Sequence, residues 1–301
     1  MKTVTVLMST YNGEKYLSEQ IESLLLQEGV YVSIFVRDDG STDATKTMLD
    51  EYEKKGVLTW YTGENLKPAR SFLNLVENTQ KSDYYAFCDQ DDVWNIDKLK
   101  RAVDALEQIE QEGKPCLYCS NYQLVDSKLN ILPENGHVST TSFGAALVAS
   151  NCTGCTTVFN NALLKILRMA KPDIIVMHDD WAHKVCLAVG GEVIYDEYKS
   201  LKYRQHGNNA DGGIHSFSDK VFQIIKRIKT KERIRSLQIG EIIKCYSNLL
   251  TEENYTLAKR VYLAEKEKLI DRLFLAFDKR LQTGYAKLDS GFRVAIIMRY
   301  F

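Results

Sequence analysis

The sequence predicts an α/β protein with a mixed, mostly parallel sheet that is flanked by helices and followed by a helical C-terminal extension. Strand-like and helical segments alternate through the first hundred residues, a pattern typical of parallel sheets with helical crossovers. Three of the strands end in polar clusters, and from His215 onward the pattern is helical. The 301 residues are 45% hydrophobic and 26% charged, enough for the core of one large or two modest domains.

The first predicted strand, Val4–Ser9, is a short run of apolar and β-branched residues. It stops at the turn-forming stretch 10–13. A helix is predicted next, because Leu17, Ile21 and Leu24 recur at spacings of three and four.

The second predicted strand, Val32–Val36, leads into Asp38 and Asp39. Ser41 or Thr42 is expected to cap the helix that follows, since short hydroxyl side chains satisfy the free amides of a helix start.

A further strand, Tyr84–Cys88, ends in the acidic cluster Asp89–Asp92. Ligands of open α/β sheets bind in the crevice beyond the carboxyl ends of the strands. The polar strand ends expected to meet at that edge are Ser9, Thr10, Tyr11, Asp38, Asp39, Asp89 and Asp91.

Each acidic cluster has two interpretations. The cluster Asp89–Asp92 either caps the helix predicted from Ile96 or binds a hard divalent cation such as Mg²⁺ or Mn²⁺ that is shared with phosphate. The cluster Asp38–Asp43 is either a turn with a cap or a source of one carboxylate that accepts a hydrogen bond from a nucleobase or ribose. The occurrence of three polar strand ends in one chain favours a metal–diphosphate site.

Several classes of protein are excluded or disfavoured. The first strand lacks a Gly-x-Gly-x-x-Gly fingerprint and the chain has no Gly-Lys-Ser/Thr loop, which argues against a dinucleotide oxidoreductase and a P-loop nucleotidase. Lys and Arg total 39 against 40 Asp and Glu, so nucleic acid is not an expected partner. No apolar run reaches the length of a membrane span, and the N-terminal run is too short for a signal peptide, so a cytoplasmic location is expected.

The seven cysteines are expected to be reduced and buried in that compartment. Two Cys-x-x-Cys pairs, Cys116 with Cys119 and Cys152 with Cys155, raise the alternative of a zinc site. The first pair falls on a predicted strand, where residues three apart face opposite sides of the sheet, which disfavours zinc.

The segment Lys220–Arg235 contains seven basic residues interleaved with apolar ones. It is either a solvated helix face over a small core or a helix that lies on an anionic membrane surface. The sequence leaves both interpretations open.

Three motifs together resemble the family 2 glycosyltransferases of GT-A fold: Ser9-Thr10-Tyr11-Asn12, Asp38-Asp39-Gly40-Ser41 and Asp89-Gln90-Asp91-Asp92-Val93-Trp94. The resemblance covers about residues 1–210. The segments His178-Asp179-Asp180-Trp181 and Tyr203-Arg204-Gln205-His206-Gly207-Asn208-Asn209 are similar, more narrowly, to bacterial rhamnosyltransferases that build cell-surface polysaccharide. The Gln-x-x-Arg-Trp motif of processive synthases is absent, which favours a single-addition enzyme.

This resemblance implies roles for individual residues. Asp39 would contact the base, Asp89 and Asp91 would hold Mn²⁺ or Mg²⁺ on the diphosphate, and Asp179 would be the general base, with Asp180 as the alternative. The residues expected to bind the nucleotide are Ser9, Thr10, Tyr11, Asn12, Asp38, Asp39, Asp89 and Gln90.

Three further residues complete the expected site. His206 is expected to join the metal or diphosphate, against the alternative of an ordinary loop histidine, because Arg204 beside it also suits phosphate. Trp181 either packs beneath the site or contacts the diphosphate or acceptor through its ring.

The acidic strand ends and this resemblance together predict an inverting, metal-dependent glycosyltransferase that moves a sugar to a saccharide or lipid-linked acceptor. The resemblance alone implies that the sugar is L-rhamnose from dTDP-rhamnose. The alternatives are a sugar-phosphate nucleotidyltransferase and a non-catalytic sugar-nucleotide-binding assembly partner. The expected glycosyltransferase domain spans 1–210, with a nucleotide-binding half (1–100) and an acceptor half (101–210), and 211–301 is the helical region. Peripheral association with the inner face of the plasma membrane and oligomerisation are both compatible with those helices.

Overall fold

The computed structural model describes residues 1–133, 140–150, 152–206 and 233–301. The strands are β1 (Thr3–Thr10), β2 (Tyr31–Asp38), β3 (Leu58–Thr62), β4 (Tyr84–Cys88), β5 (Val93–Trp94), β6 (Cys116–Val125), β7 (Val158–Asn160) and β8 (Glu192–Arg204). The α-helices of these residues are α1 (Leu17–Leu25), α2 (Thr45–Lys54), α3 (Lys67–Asn78), α4 (Lys98–Ile109), α5 (Phe143–Val148), α6 (Asn161–Leu167), α7 (His178–Ala188), α8 (Ile234–Tyr246), α9 (Glu252–Leu263), α10 (Leu269–Ala276) and α11 (Ala286–Ile297).

The eight strands form one sheet in the order β3-β2-β1-β4-β7-β6-β8-β5. The pairs β1–β2, β1–β4, β2–β3 and β6–β8 are parallel. Strand β7 is antiparallel to both β4 and β6, and β5 is antiparallel to β8. The predicted mixed, mostly parallel sheet is confirmed, and the carboxyl ends of β1, β2 and β4 meet at one edge.

The start of α2 differs from the prediction. The helix begins at Thr45 after an N-cap at Ala44, and the carboxylate of Asp43 accepts the amide hydrogen of Thr45 at 3.0 Å. Ser41, one of the two predicted caps, instead donates its hydroxyl to Asp38. The predicted cap is therefore used inside the turn that follows β2.

Two hydrophobic cores lie on opposite faces of the sheet, because alternate residues of a strand point in opposite directions. In β1, Val4, Val6 and Met8 belong to one core and Leu7 belongs to the other. The two Cys-x-x-Cys pairs are divided in the same way. Cys116 and Cys155 lie in the core of Val4, whereas Cys119 and Cys152 lie in the core of Leu7. The four sulfur atoms therefore do not form one zinc site.

The C-terminal helices pack onto the sheet side that contains α7. Ile239, Ile242 and Tyr246 of α8 belong to the same core as Trp181, whose ring centroid lies 6.0 Å from that of Tyr246. The basic segment Lys220–Arg235 falls almost entirely outside the described residues, so its two interpretations stay predictions. Among the helices that are described, none has the length and apolar character to cross a membrane.

Candidate active site

A cleft of about 230 Å³ opens at the carboxyl ends of β1, β2 and β4, where the sequence predicts the ligand site. The N-terminus of α7 and the turn before β7 close its other side. The predicted residues that line this cleft are Ser9, Thr10, Tyr11, Asp39, Asp89, Gln90, Asp91 and Asp179. Carboxylates far apart in sequence thus share one hollow. The other predicted residues, which are Asn12, Asp38, Asp180, Trp181, Arg204 and His206, support this cleft from behind or from its margin.

Asp39 is held at the cleft wall by a buried ion pair. Its side chain is bonded to the guanidinium of Arg37, and both side chains are almost fully buried. The amides of Leu66 and Lys67 donate to the same carboxylate at 2.8 and 3.0 Å. Arg37 also donates to Ser71 Oγ at 3.0 Å. The position of Asp39 is therefore fixed from strand β2 and from the start of α3.

The sequence analysis did not identify Arg37. The sequence does contain an indication of its role. Arg37 is a single basic residue between an apolar strand and two acidic residues, and a charge buried at such a position needs a partner.

Asp38 differs from Asp39 because it is fully buried and does not face the cleft. Its oxygens accept hydrogen bonds from the amides of Gly40 and Ser41 and from the hydroxyl of Thr62, at 2.9–3.1 Å. Thr10 adds a longer contact of 3.3 Å. These bonds join the ends of three strands, which is a structural use of a residue predicted to bind nucleotide.

Gln90 connects the loop after β4 to the loop after β1. Its side chain accepts from the amide of Tyr11 at 2.9 Å and donates to the carbonyl of the same residue at 3.0 Å. A Cβ atom on Gly13 would lie 2.2 Å from Gln90 Oε1, so a larger residue at position 13 would displace the Gln90 side chain from these hydrogen bonds. Asn12 has φ 48° and joins the loops after β1 and β2, because its side-chain Oδ1 accepts a hydrogen bond from the amide of Thr42 at 2.9 Å.

The acidic loop after β4 is held by residues at the end of β8. Arg204 is buried, and its Nε donates to the carbonyl of Asp91 at 2.8 Å while its amide donates to Asp92 at 3.1 Å. Its guanidinium also pairs with Glu19. Arg204 therefore positions the acidic loop from behind, whereas the sequence predicted it at the diphosphate. His206 Nε2 lies 2.6 Å from Asp91 Oδ2, so these two predicted metal ligands are in contact.

A candidate metal-binding group lies at the base of this loop. The ligand atoms of Asp89, Asp92 and Cys155 all fall within 4.8 Å of one another. Burial raises the pKa of Asp92 well above its usual range, and the nearby charges of Asp91 and Asp89 add to this effect. The Oδ2 atom of Asp92 has no hydrogen-bond partner among the described residues. A divalent cation would relieve the repulsion between the carboxylates and pair the free oxygen, and Asp89 and Asp92 offer the oxygen ligands that such an ion prefers. Cys155 does not fit a hard cation, because burial raises the pKa of its thiol and keeps it protonated.

Asp179 and Asp180 are adjacent in sequence but point to different surroundings. Asp179 lines the cleft. Asp180 accepts two hydrogen bonds from Lys184 Nζ, at 2.6 and 2.7 Å, and one from Gln238 of α8. Burial would raise the pKa of Asp180, but the ammonium of Lys184 and these hydrogen bonds hold it below its ordinary value. Asp180 thus fastens α7 to α8.

Trp181 is fully buried beside Tyr246, which agrees with packing beneath the site and leaves it no surface toward an acceptor. The sequence analysis assigned no role to several residues that line the cleft, among them Phe72, His178 and Tyr203. The signal for His178 was its place directly before Asp179.

Comparison with known proteins agrees with this geometry. The family described as "Glycosyl transferase family 2" matches residues 5–114. RfbG of Shigella flexneri, named a dTDP-rhamnosyl transferase, is 30% identical over 237 residues, which cover 71% of this chain and 76% of the relative.

Solved structures show the same fold. S. aureus TarS in complex with UDP-GlcNAc has a TM-score of 0.58 at 16% identity, covering 100% of this chain and 89% of that chain. The mannosyltransferase PcManGT from Pyrobaculum calidifontis, solved with GDP-Man and Mn²⁺, has a TM-score of 0.51 at 15% identity, covering 98% of this chain and 85% of that chain.

The sheet, the acidic cleft at its edge and these similarities define a protein of the GT-A glycosyltransferase fold. The chain belongs to glycosyltransferase family 2 and is a glycosyltransferase. This assignment replaces the nucleotidyltransferase alternative.

Proposed function

We propose that this glycosyltransferase is inverting and metal-dependent and transfers L-rhamnose from dTDP-rhamnose to a saccharide or lipid-linked acceptor in cell-surface polysaccharide synthesis. The observation that carries the proposal is the convergence of Asp39, Asp89, Asp91 and Asp179 on one cleft. The similarity to RfbG, named a dTDP-rhamnosyl transferase, supports the donor. The domain limits, 1–210 for transfer and 211–301 for the helical region, are part of this proposal.

The nucleotide would occupy the side of the cleft formed by β1, β2 and α3. Asp39 is anchored there by Arg37 and by two backbone amides, so its carboxylate is presented in a fixed orientation to a base N–H. Ser9, Thr10 and Tyr11 line the adjoining wall. Asp38, Asn12 and Gln90 contribute by holding the loops that carry these residues.

Asp89 and Asp91 would hold Mn²⁺ or Mg²⁺, with His206 as a further ligand. Carboxylate oxygens match the preference of both cations, and His206 is already in contact with Asp91. When bound, the cation would offset the negative charge that develops on the departing nucleoside diphosphate. Arg204 would keep the loop in place through its bond to the carbonyl of Asp91.

Asp179 would be the general base. It lies in the cleft at the first turn of α7, where it can remove the proton of an acceptor hydroxyl as that oxygen attacks the anomeric carbon. Attack from the face opposite the diphosphate inverts the configuration. Asp180 is committed to Lys184 and Gln238, so we assign it a positioning role.

A cytoplasmic location at the membrane face is also proposed. On α10 and just after it, Ile270, Phe274 and Phe277 are exposed at spacings of four and three residues, which places them on one helix face. Arg293 lies over the ring of Phe277, with 5.0 Å between its guanidinium carbon and the ring centroid. Exposed aromatic residues beside basic ones suit an anionic bilayer surface, where a lipid-linked acceptor would be met.

The proposal is tested by screening nucleotide sugars with Mn²⁺ for thermal stabilisation, since a ligand that binds the folded state raises its apparent stability. We expect the largest shift with dTDP-rhamnose. Slow metal-dependent hydrolysis of the same donor would separate an enzyme from a non-catalytic assembly partner. A larger shift with a UDP- or GDP-sugar would contradict the proposed donor.

A further inference from the structure

His178 occupies an unusual position at the floor of the cleft. It is the first residue of α7, is only 3% exposed, and lines the cleft beside Asp179. Its ring stacks on Phe72 at 3.8 Å between centroids and 18° between planes, and meets the edge of Phe87 at 4.7 Å and 88°. The imidazole is therefore held in one orientation by two aromatic rings.

Neither ring nitrogen of His178 has a hydrogen-bond partner within the part of the chain that the structure describes. Buried polar atoms in folded proteins are almost always hydrogen-bonded, so two unpaired nitrogens on a ring that lines a cleft indicate a binding partner that is supplied from outside the chain. The Nε2 atom lies close to Gly154, since a Cβ atom on that residue would lie 2.7 Å from this nitrogen, and any larger residue at position 154 would crowd the imidazole. Gly154 also lines the cleft.

The charge state of the ring limits the choice of ligand. Burial lowers the pKa of His178 to about 3, so the imidazole is neutral at physiological pH. A neutral imidazole offers one N–H donor and one acceptor. A sugar hydroxyl also donates and accepts, whereas a phosphate oxygen accepts only and favours a cation. Hydroxyl groups are therefore the better partners.

We propose that His178 is a specificity-determining residue whose ring nitrogens bind hydroxyl groups of the sugar that is being transferred. The inference rests on the proposed function and extends it to a named contact. The donor sugar is favoured over the acceptor because the ring is deeply buried between two elements of the donor side. These are β4, which leads into Asp89, and α3, whose first turn holds Asp39.

The test compares binding of dTDP-rhamnose with binding of dTDP by calorimetry in the presence of Mn²⁺. His178→Phe preserves the aromatic stack. We expect this variant to bind dTDP-rhamnose with an affinity about 10- to 100-fold lower and to bind dTDP with unchanged affinity. His178→Gln, which retains a donor and an acceptor, should recover part of the loss. Far-UV circular dichroism and the melting temperature verify that both variants fold.

A second measurement uses the unaltered enzyme, so that it does not depend on the folding of a variant. The chain has five histidines, and ¹⁵N spectra of their rings, assigned with His178→Phe, report the tautomer of each. We expect the His178 nitrogen signals to shift on adding dTDP-rhamnose but not on adding dTDP.

Three results for His178→Phe would overturn the inference. They are an unchanged affinity for both dTDP-rhamnose and dTDP, an equal loss of affinity for both, or a raised KM for the acceptor with unchanged donor affinity. If the unaltered enzyme instead prefers another nucleotide sugar, the proposed donor is wrong. The same comparison is then made between that sugar nucleotide and its free diphosphate, and the role of His178 is judged on the difference.

Discussion

The Nε2 atom of His206 lies 2.6 Å from Oδ2 of Asp91, and the imidazole of His206 stacks on Tyr16 with 5.0 Å between ring centroids. This contact joins the residues after β8 to the acidic loop after β4. Two of the proposed metal ligands are thus brought into contact from two parts of the sheet.

Removal of the Asp91 carboxylate should therefore remove metal-dependent donor binding. We expect Asp91→Asn to weaken dTDP binding in Mn²⁺ by at least about 10-fold, because the amide lacks the negative charge that a hard cation prefers. Calorimetry with Mn²⁺ and with EDTA measures the effect. Asp104→Asn, an exposed carboxylate on α4, is the matched control and should behave as the unaltered enzyme. An unchanged affinity for Asp91→Asn would remove Asp91 from the metal site.

Substitution of the two adjacent aspartates of α7 should affect two different properties, which are turnover for Asp179 and stability for Asp180. Asp179→Asn should leave donor binding intact and lower kcat by about 100- to 10,000-fold, because a general base contributes on that scale. Asp180→Asn should keep measurable turnover and lower the free energy of unfolding by about 1–3 kcal/mol, because Lys184 is buried and loses its charged partner. Single-turnover kinetics and urea unfolding measure the two effects. Loss of turnover in a stable Asp180→Asn protein would transfer the base role to Asp180.

The buried pair of Arg37 and Asp39 should be important for both stability and base recognition. Arg37→Met leaves a carboxylate buried without its cation, and we expect a loss of about 3–5 kcal/mol in the free energy of unfolding. Arg101→Met, which breaks an exposed pair with Asp196, should cost less than about 1 kcal/mol. In a double-mutant cycle, Asp39→Asn should reduce the cost of Arg37→Met. Additive costs would show that the pair does not interact energetically.

Buried neutral histidines should make the fold sensitive to mild acid. Burial lowers the pKa of His178 to about 3 and that of His183 to about 4. Between pH 6.5 and pH 5 the unfolded chain binds protons at these residues and the folded chain does not, so stability falls as pH is lowered. Each histidine contributes a slope approaching about 1.4 kcal/mol per pH unit.

Urea unfolding at intervals between pH 7 and pH 5 measures this slope. His178→Phe removes the contribution of one of the two buried histidines. The part of the slope that comes from these histidines should therefore fall by about half. An identical slope in His178→Phe and in the unaltered protein would show that His178 does not contribute to the pH dependence of stability, which contradicts the prediction.

The sheet and the location of its cleft were predictable because their signals are local. Each acidic cluster directly follows a run of apolar residues, and parallel strands bring their carboxyl ends to one edge whatever the details of packing. Strand β7 was harder to place. The β-branched and apolar residues of Cys155–Phe159 are typical of a strand, but the strand is Val158–Asn160, because a short 3₁₀ turn at Gly154–Thr156 uses the first of those residues.

Which member of each acidic pair faces the cleft was not predictable from the sequence. Asp38 and Asp39 are adjacent, and so are Asp179 and Asp180, but in each pair one carboxylate is used by neighbouring elements. Thr62 contacts Asp38 from β3, and Gln238 contacts Asp180 from α8. These partners come from distant segments of the chain, and no local sequence pattern predicts them. Arg204 shows the same limit, since its guanidinium binds loop carbonyls that only the folded chain supplies.

Because the cysteines are divided between the two cores, their reactivity can report separately on each face of the sheet. Cys88, Cys116 and Cys155 lie on one side of the sheet, and Cys119, Cys152 and Cys186 lie on the other. Pulsed alkylation followed by mass spectrometry would therefore read the opening of each helical layer separately. Such a record would distinguish the local opening of one layer during turnover from global unfolding, without any substitution in the chain.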